Sequence, residues 1–276
     1  MTSAKTPITV VIPVKNEQAN LAKCLQRLSN FEEVVVLDSD SDDATVSIAI
    51  AHGATCLNFK WDGKFPKKRN WYLLNFKPKC DWVLFLDADE FLSESFIVEA
   101  ETAIKDRDVN GHWLNYTNYF LGRKLRFGVP QRKLALIRFG AGYFERIEED
   151  SWSQLDMEIH EHPILNGKAG EIRATIEHND DRGIEKFLAR HVQYAKWEVA
   201  RSKRLQAGNE NSAHNLTKRQ KIKYAMLNNS LFPIFYFLYQ WIFKLGFLDG
   251  YAGLQYAFHK MWYFNLIGIL SRSESR

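Results

Sequence analysis

Over the first 90 residues, short apolar runs alternate with longer stretches of helical spacing. Ile8–Ile12, Val34–Leu37, Ala54–Phe59 and Trp82–Leu86 predict four strands. Between them, Glu17–Leu28 carries Leu21, Leu25 and Leu28 on one helical face, and helices are expected over Asp43–Ala51 and Lys67–Asn75, with Gly53 placed to end the second. Strands separated by helices of this length form βαβ units with right-handed crossovers, so the expected fold class is α/β, a mostly parallel sheet flanked by helices. The loops leaving the carboxyl ends of the strands should then meet at one cleft, where open α/β sheets bind ligands.

Three of those loops carry chemistry. Val83-Leu84-Phe85-Leu86 ends abruptly in Asp87-Ala88-Asp89-Glu90. Alternation along an extended backbone would put Asp87 and Asp89 on one side, with Ala88 turned away. Adjacent carboxylates resist ionisation unless a cation joins them, and a small set of hard oxygen ligands suits Mg²⁺ or Mn²⁺ completed by water and substrate phosphates. The competing reading is a solvated acidic loop ahead of a helix capped by Ser93. A second acidic string runs from Asp38 to Thr45, in which Ser41 or Asp42 is a natural helix cap and Asp38, at the strand end, faces the ligand. The third loop is Pro13-Val14-Lys15-Asn16-Glu17. Before the fourth strand, Lys67, Lys68 and Arg69 oppose the dipole of the helix they open, an odd placement unless an anion such as a diphosphate binds there; a solvated basic loop is the alternative for the two lysines. Arg69 has the planar fork that suits phosphate.

Composition narrows the class. The 276 residues are 46% hydrophobic and 25% charged, a globular balance with ample core. Cys24, Cys56 and Cys80 have no metal-ligand spacing and fit a reducing compartment, and Met1–Pro7 lacks the features of a secretory signal, so a cytosolic catalytic part is expected. The net charge of +4 hides an asymmetry. Arg182–Lys223 holds 11 Lys and Arg against 3 Glu, and Tyr224–Phe264 holds 15 of the 38 aromatic residues, where even spreading would give about 6. A basic stretch followed by an aromatic one reads as attachment to an anionic membrane surface, or as a helical hairpin packing on the catalytic part or on another copy of the chain. Leu231–Phe243 is uncharged but only 13 residues long, short for a span, so helices lying in the membrane surface are expected.

Val11-Ile12-Pro13-Val14-Lys15-Asn16-Glu17, the string Asp38–Thr45, Lys68-Arg69-Asn70 and Trp82–Glu90, in that order, together resemble family 2 glycosyltransferases of the GT-A fold. The branch resembled most is that of lipopolysaccharide inner-core glucosyltransferases and related enzymes of surface polysaccharide assembly. His160-Glu161 and Gly246-Phe247-Leu248-Asp249-Gly250 extend the likeness less sharply. The resemblance implies a Rossmann-like GT-A nucleotide-sugar-binding and catalytic domain over residues 1–180, and residues 181–276 read as a helical, aromatic-rich extension. It implies that Pro13, Val14, Glu17 and Asp38 hold the nucleoside, that Arg69 lies beside the nucleotide and Asp87 near the ribose, and that Asp89 ligates the metal. His178 is a candidate late metal or diphosphate ligand, though a lone histidine is more often structural. The family inverts configuration by direct displacement, and Glu161 is the candidate base, with Asp156 and Glu158 as competitors. A zinc reading of His160 and His162 lacks a third ligand.

Two departures stand out. Asp40 and Ala44 occupy positions where the family often has glycine, which puts the local turn in question, and the Gln-x-x-Arg-Trp hallmark of processive relatives does not follow Glu161. Transfer of one hexose is therefore expected, from a nucleotide-sugar, by resemblance UDP-linked, to a lipid-linked or lipopolysaccharide acceptor. The enzyme would sit peripherally on the inner face of the cytoplasmic membrane, with contact between copies through the C-terminal helices and no nucleic-acid partner. The rivals are a metal-dependent nucleotidyltransferase, which would want a glycine-rich loop after the first strand, and an inactive GT-A scaffold.

Overall fold

A computed structural model describes residues 5–147, 153, 155–158, 162–207, 216–227 and 229–273. It divides into two compact units, one of residues 1–117 and 131–181, the other of 118–130 and 182–276.

The first unit is built on a sheet whose strands lie in the order Thr55–Asn58, Phe31–Asp38, Thr6–Val14, Trp82–Phe85, Gln131–Arg138, Val109–Phe120, Lys168–His178 and Glu90–Phe91. Its strands β1 (Thr6–Val14), β2 (Phe31–Asp38), β3 (Thr55–Asn58) and β4 (Trp82–Phe85) are parallel and alternate with α1 (Leu21–Gln26), α2 (Thr45–Ala51) and α3 (Lys68–Asn75). This is the expected α/β arrangement of a parallel sheet flanked by helices. Burial on both faces explains the unbroken apolar strands: Val10, Ile12, Leu84 and Leu86 pack with Leu21, Leu25 and Phe96 on one face, and Val11, Val83 and Phe85 with Tyr72 and Leu73 on the other. Gly53 follows α2 at φ +75°, a conformation glycine adopts without strain, and its N–H donates to the Ile50 carbonyl at 2.9 Å.

Beyond β4 the sheet turns antiparallel. β5 (Glu90–Phe91) pairs with β11 (Lys168–His178), setting Glu90 opposite His178, and β8 (Gln131–Arg138) pairs with both β4 and β6 (Val109–Phe120). Between β5 and β6, α4 (Glu94–Ala103) is capped by Ser93, whose hydroxyl accepts the Phe96 N–H at 3.2 Å. β9 (Gly142–Phe144) and β10 (Pro163–Leu165) form a separate pair.

In the second unit the end of β6 pairs with β7 (Arg123–Lys124). The helices are α5 (Ile184–Gln206), α6 (Lys218–Met226), α7 (Phe232–Leu238) and α8 (Gly250–Ser273). A π-helical turn over Tyr239–Phe243 and a 3-10 turn over Gly246–Asp249 separate the last two. Ala195, Val199, Tyr224, Leu227, Phe264 and Ile267 form its core. Among the described residues, no helix is long and apolar enough to cross a membrane.

Candidate active site

The carboxyl ends of β1, β2 and β4 bring three expected segments to one edge. Pro13 and Val14 lie beside Leu37 and Asp38 in register, and Leu86 continues from β4 by donating its N–H to the Val11 carbonyl at 3.1 Å. The first two loops are knitted by hydroxyls. Ser41 Oγ accepts the Asn16 N–H at 2.9 Å, and Thr45 Oγ1 accepts the Glu17 N–H at 2.8 Å. The Asp38 carboxylate accepts both the N–H and the hydroxyl of Ser41, which fixes its orientation at the strand end. Asp40, standing where the resembled family often has glycine, has φ +51°. Aspartate tolerates this left-handed conformation better than most residues, so the turn is kept without the glycine. Neither Ser41 nor Asp42 caps α2, which starts at Thr45 rather than Asp43. The Asp43 carboxylate accepts the Thr45 N–H at 2.9 Å instead, and although burial opposes it, the bonds from Thr45 hold Asp43 below the usual carboxylate range.

The acidic tip differs from its expected geometry. β4 ends at Phe85, and the Glu90 N–H donates to the Asp87 carbonyl at 3.0 Å, so Asp87 to Glu90 form a turn rather than an extended strand end. Ala88 points into the core, and the two aspartates meet different partners. Asp87 receives Arg69 Nη2 at 2.8 Å and Lys133 Nζ at 2.7 Å. Burial pushes its pKa up, but the two cations more than reverse this and hold it well below the usual range. Asp89, whose side chain is 6% exposed, faces His178 Nε2 at 3.4 Å. Burial pushes His178 down and the Asp89 carboxylate outweighs it, leaving the imidazole above its ordinary value.

Lys133, on β8, was not foreseen. Its ammonium bridges Asp87 and Glu90 and lies 5.0 Å from the centre of the Tyr116 ring. Burial works against the charge, but both carboxylates hold Lys133 well above its ordinary value. Glu90 is fully buried, accepts the Asp87 N–H at 3.1 Å, and is pushed up to about 7 by burial despite the pull of Lys133. The signal in the sequence was a deficit: two acidic clusters at one edge, with only Arg69 assigned to balance them.

The basic turn also has an answer within the chain. Glu158 places its carboxylate on the amino terminus of α3, accepting the Arg69 N–H at 2.9 Å and the Asn70 N–H at 3.0 Å, and its carbonyl accepts the Arg69 guanidinium. The anion that the helix end requires is thus this side chain. Lys67 and Lys68 are buried rather than solvated. Lys68 Nζ donates to the Val14 carbonyl at 3.0 Å and pairs with Asp156 at 3.2 Å, while Asp156 also accepts the Ser39 hydroxyl. Burial nevertheless lowers the Lys68 pKa. Both competitors for the base are therefore engaged in holding α3.

Glu17 accepts Asn20 Nδ2 at 2.9 Å. Glu161 and His160 lie outside the described residues; the His162 carbonyl accepts the Glu145 N–H at 3.1 Å, and its ring lies 6.4 Å from that of Trp113.

Among the described residues, no three His, Cys, Asp or Glu side chains are clustered to hold a metal. Asp89 and His178 supply two converging donors, which fits a divalent ion that keeps waters and takes the rest of its ligands from phosphate. The side chains of Asp87 and His178 are 26% and 25% exposed, so a ligand can reach both.

Residues 9–156 match the family model described as Glycosyl transferase family 2, which covers the ends of β1, β2 and β4 and the amino terminus of α3. Over 98 residues the chain is 38% identical to an uncharacterized glycosyltransferase of Rickettsia typhi, a match covering 34% of this chain and 32% of that protein. It is 26% identical over 184 residues to the lipopolysaccharide core biosynthesis glycosyltransferase LpsC of Rhizobium meliloti, covering 61% of each. Among solved structures, glucosyl-3-phosphoglycerate synthase from Mycobacterium tuberculosis superposes with a TM-score of 0.33 at 23% identity, over 41% of this chain and 44% of that one. The chain thus spans less than two thirds of each of these relatives.

Proposed function

The chain belongs to glycosyl transferase family 2, and we propose that it moves a single hexose from a nucleotide-sugar, by family resemblance a UDP-sugar, to a lipid-linked or lipopolysaccharide acceptor, inverting the anomeric configuration. The observation that carries this reading is the convergence, at the carboxyl edge of the sheet, of the Asp89–His178 pair with the Arg69–Asp87–Lys133 ion network. The likeness to LpsC supports the choice of acceptor. A lipid-linked acceptor puts the reaction at the cytoplasmic face of the membrane.

In this reading the loop Pro13–Glu17 and Asp38 hold the nucleoside, Asp38 beside the base, and the reachable carboxylate of Asp87 faces the ribose. Asp89 and His178 would hold Mg²⁺ or Mn²⁺; when bound, the ion neutralises the diphosphate and acts as a Lewis acid toward the leaving group. Arg69 is fixed in advance, its backbone by Glu158 and its guanidinium by Asp87, so little reorganisation is needed where negative charge develops on the departing nucleotide. Lys133 keeps Asp87 ionised and oriented. Glu161 takes the proton from the attacking acceptor hydroxyl, so that the sugar is displaced directly without a covalent sugar–enzyme intermediate.

A screen of nucleotide-sugars for nucleotide release, with Mn²⁺ or Mg²⁺, tests the reading. Release from a UDP-hexose that is lost on Asp89→Ala supports it. Loss of release with Asp89→Ala but not with Glu161→Ala keeps the donor site and removes the base. Absence of binding to any UDP-sugar overturns the function, and transfer of a nucleotidyl group instead of a sugar restores the nucleotidyltransferase.

A further inference from the structure

Two stretches far apart in sequence are joined in the second unit. The Asp249 carboxylate accepts the Arg126 N–H at 3.0 Å and the Phe127 N–H at 2.9 Å, Gln240 Oε1 accepts the Val129 N–H at 3.0 Å, and the Gly128 N–H donates to the Lys244 carbonyl at 2.8 Å. The hairpin 118–130 is thereby clipped along the π-helical and 3-10 turns. Gly128 sits against the Gln240 side chain with φ +95°, a backbone conformation that glycine adopts without strain.

Large apolar side chains point outward along the joined stretches. Phe127, Phe243, Leu245, Phe247, Leu248 and Tyr251 are all exposed, Phe243 by 75% and Tyr251 by 72%. The same two stretches, 118–130 and 229–260, carry five cations, Arg123, Lys124, Arg126, Lys244 and Lys260, and one acid, Asp249. That acid is turned onto the hairpin backbone. Within these two stretches, what remains is a set of exposed apolar side chains interleaved with cations, their one carboxylate being engaged by backbone.

We propose that this composite surface, hairpin and turns together, docks on an anionic lipid bilayer. The charge is complementary to acidic headgroups, the aromatic side chains suit the headgroup–acyl boundary, and the lysine and arginine stems can cover apolar surface while their heads stay in water. The turns are too short to span a bilayer. The proposal goes beyond the sugar-transfer reading and does not rest on it.

The test is sedimentation of the full chain with phosphatidylcholine vesicles, with and without phosphatidylglycerol, at low and at high salt. Binding should require phosphatidylglycerol and weaken with salt. The double substitution Phe243→Ser, Tyr251→Ser should weaken it on the order of tenfold or more, and Lys244→Gln about fivefold. Leu245 has φ +57°, so Leu245→Gly suits the backbone, keeps the fold and still removes an apolar contact. Asp249→Ala makes the chain more positive, yet it should weaken binding because the hairpin leaves the turns; stronger binding would show that charge alone acts and would overturn the composite surface. Equal binding to phosphatidylcholine alone, or variants that bind like the parent, overturns the bilayer as occupant. Light scattering that finds a dimer broken by Phe243→Ser, with no vesicle binding, assigns the surface to a second copy.

Discussion

The two units handle charge in opposite ways. In the first, carboxylates are drawn to one sheet edge and satisfied one by one: Asp38 by Ser41, Asp87 by Arg69 and Lys133, Asp89 by His178, Glu158 by the amino terminus of α3. In the second, cations crowd α5, α6 and the hairpin, the single acid of the turns bonds to backbone, and aromatic groups fill both the core and the exposed face. The contrast teaches where each unit can be broken. Removing one cation should injure the first; the second should be hurt by backbone crowding and by acid.

The largest effect is expected from Lys133→Met. It leaves the buried Glu90 beside the partly exposed Asp87 without their bridging charge, a loss of at most about 3 kcal/mol by the behaviour of broken buried pairs, reduced by the partial exposure of Asp87 and of the lysine. Denaturant unfolding measures it, and Lys133→Met with Glu90→Gln should recover part of the loss; an unchanged midpoint would mean the network holds nothing together. Next is Gly253→Val in α8. A Cβ there would lie 2.2 Å from the Gly246 carbonyl, so the 3-10 turn must shift, costing about 1–3 kcal/mol in thermal stability.

Acid should separate the units. Burial among Phe187, His191 and Trp262 pushes His259 down to about 3, so it stays neutral in the fold and gains a proton only on unfolding. Stability from this group is complete above its ordinary value near 6.5 and is lost as pH falls from there toward 3. In the first unit Asp43 and Asp156 lie below the carboxylate range, so their contribution persists down to about pH 4 and is lost below it. Hydrogen exchange read by peptide should therefore show α8 loosening between about pH 6 and 4 while β1 and β2 stay protected. His259→Phe should flatten that difference. The smallest effect is Leu245→Gly, expected to leave stability unchanged or raise it by about 0.5–1 kcal/mol, because glycine relieves the left-handed backbone.

The parallel half of the sheet was legible because strands buried on both faces write their position as unbroken apolar runs, as in Val83 to Leu86. Gly53 and Ser93 could likewise be placed from local chemistry alone. The antiparallel half was not legible: β8 pairs with β4 across nearly fifty intervening residues, and nothing local to Gln131–Arg138 says that Lys133 will meet Asp87. The Asp87–Asp89 alternation misled because a turn begins where the strand was assumed to continue. The basic turn misled for a related reason, since Glu158, remote in sequence, already supplies the anion. That 118–130 clusters with the C-terminal helices depends on Asp249 and Gln240 bonding to its backbone, which no periodicity records.

The central claim, that the Asp87–Asp89 turn and His178 form the metal and diphosphate end of a donor site, is tested most directly by calorimetric titration of UDP into the full chain with Mn²⁺ and with a chelator. The account predicts UDP binding that requires the metal and weakens at least about tenfold on Asp89→Asn, with the fold unchanged by circular dichroism. UDP binding of equal strength with chelator, unaltered by Asp89→Asn, would contradict it.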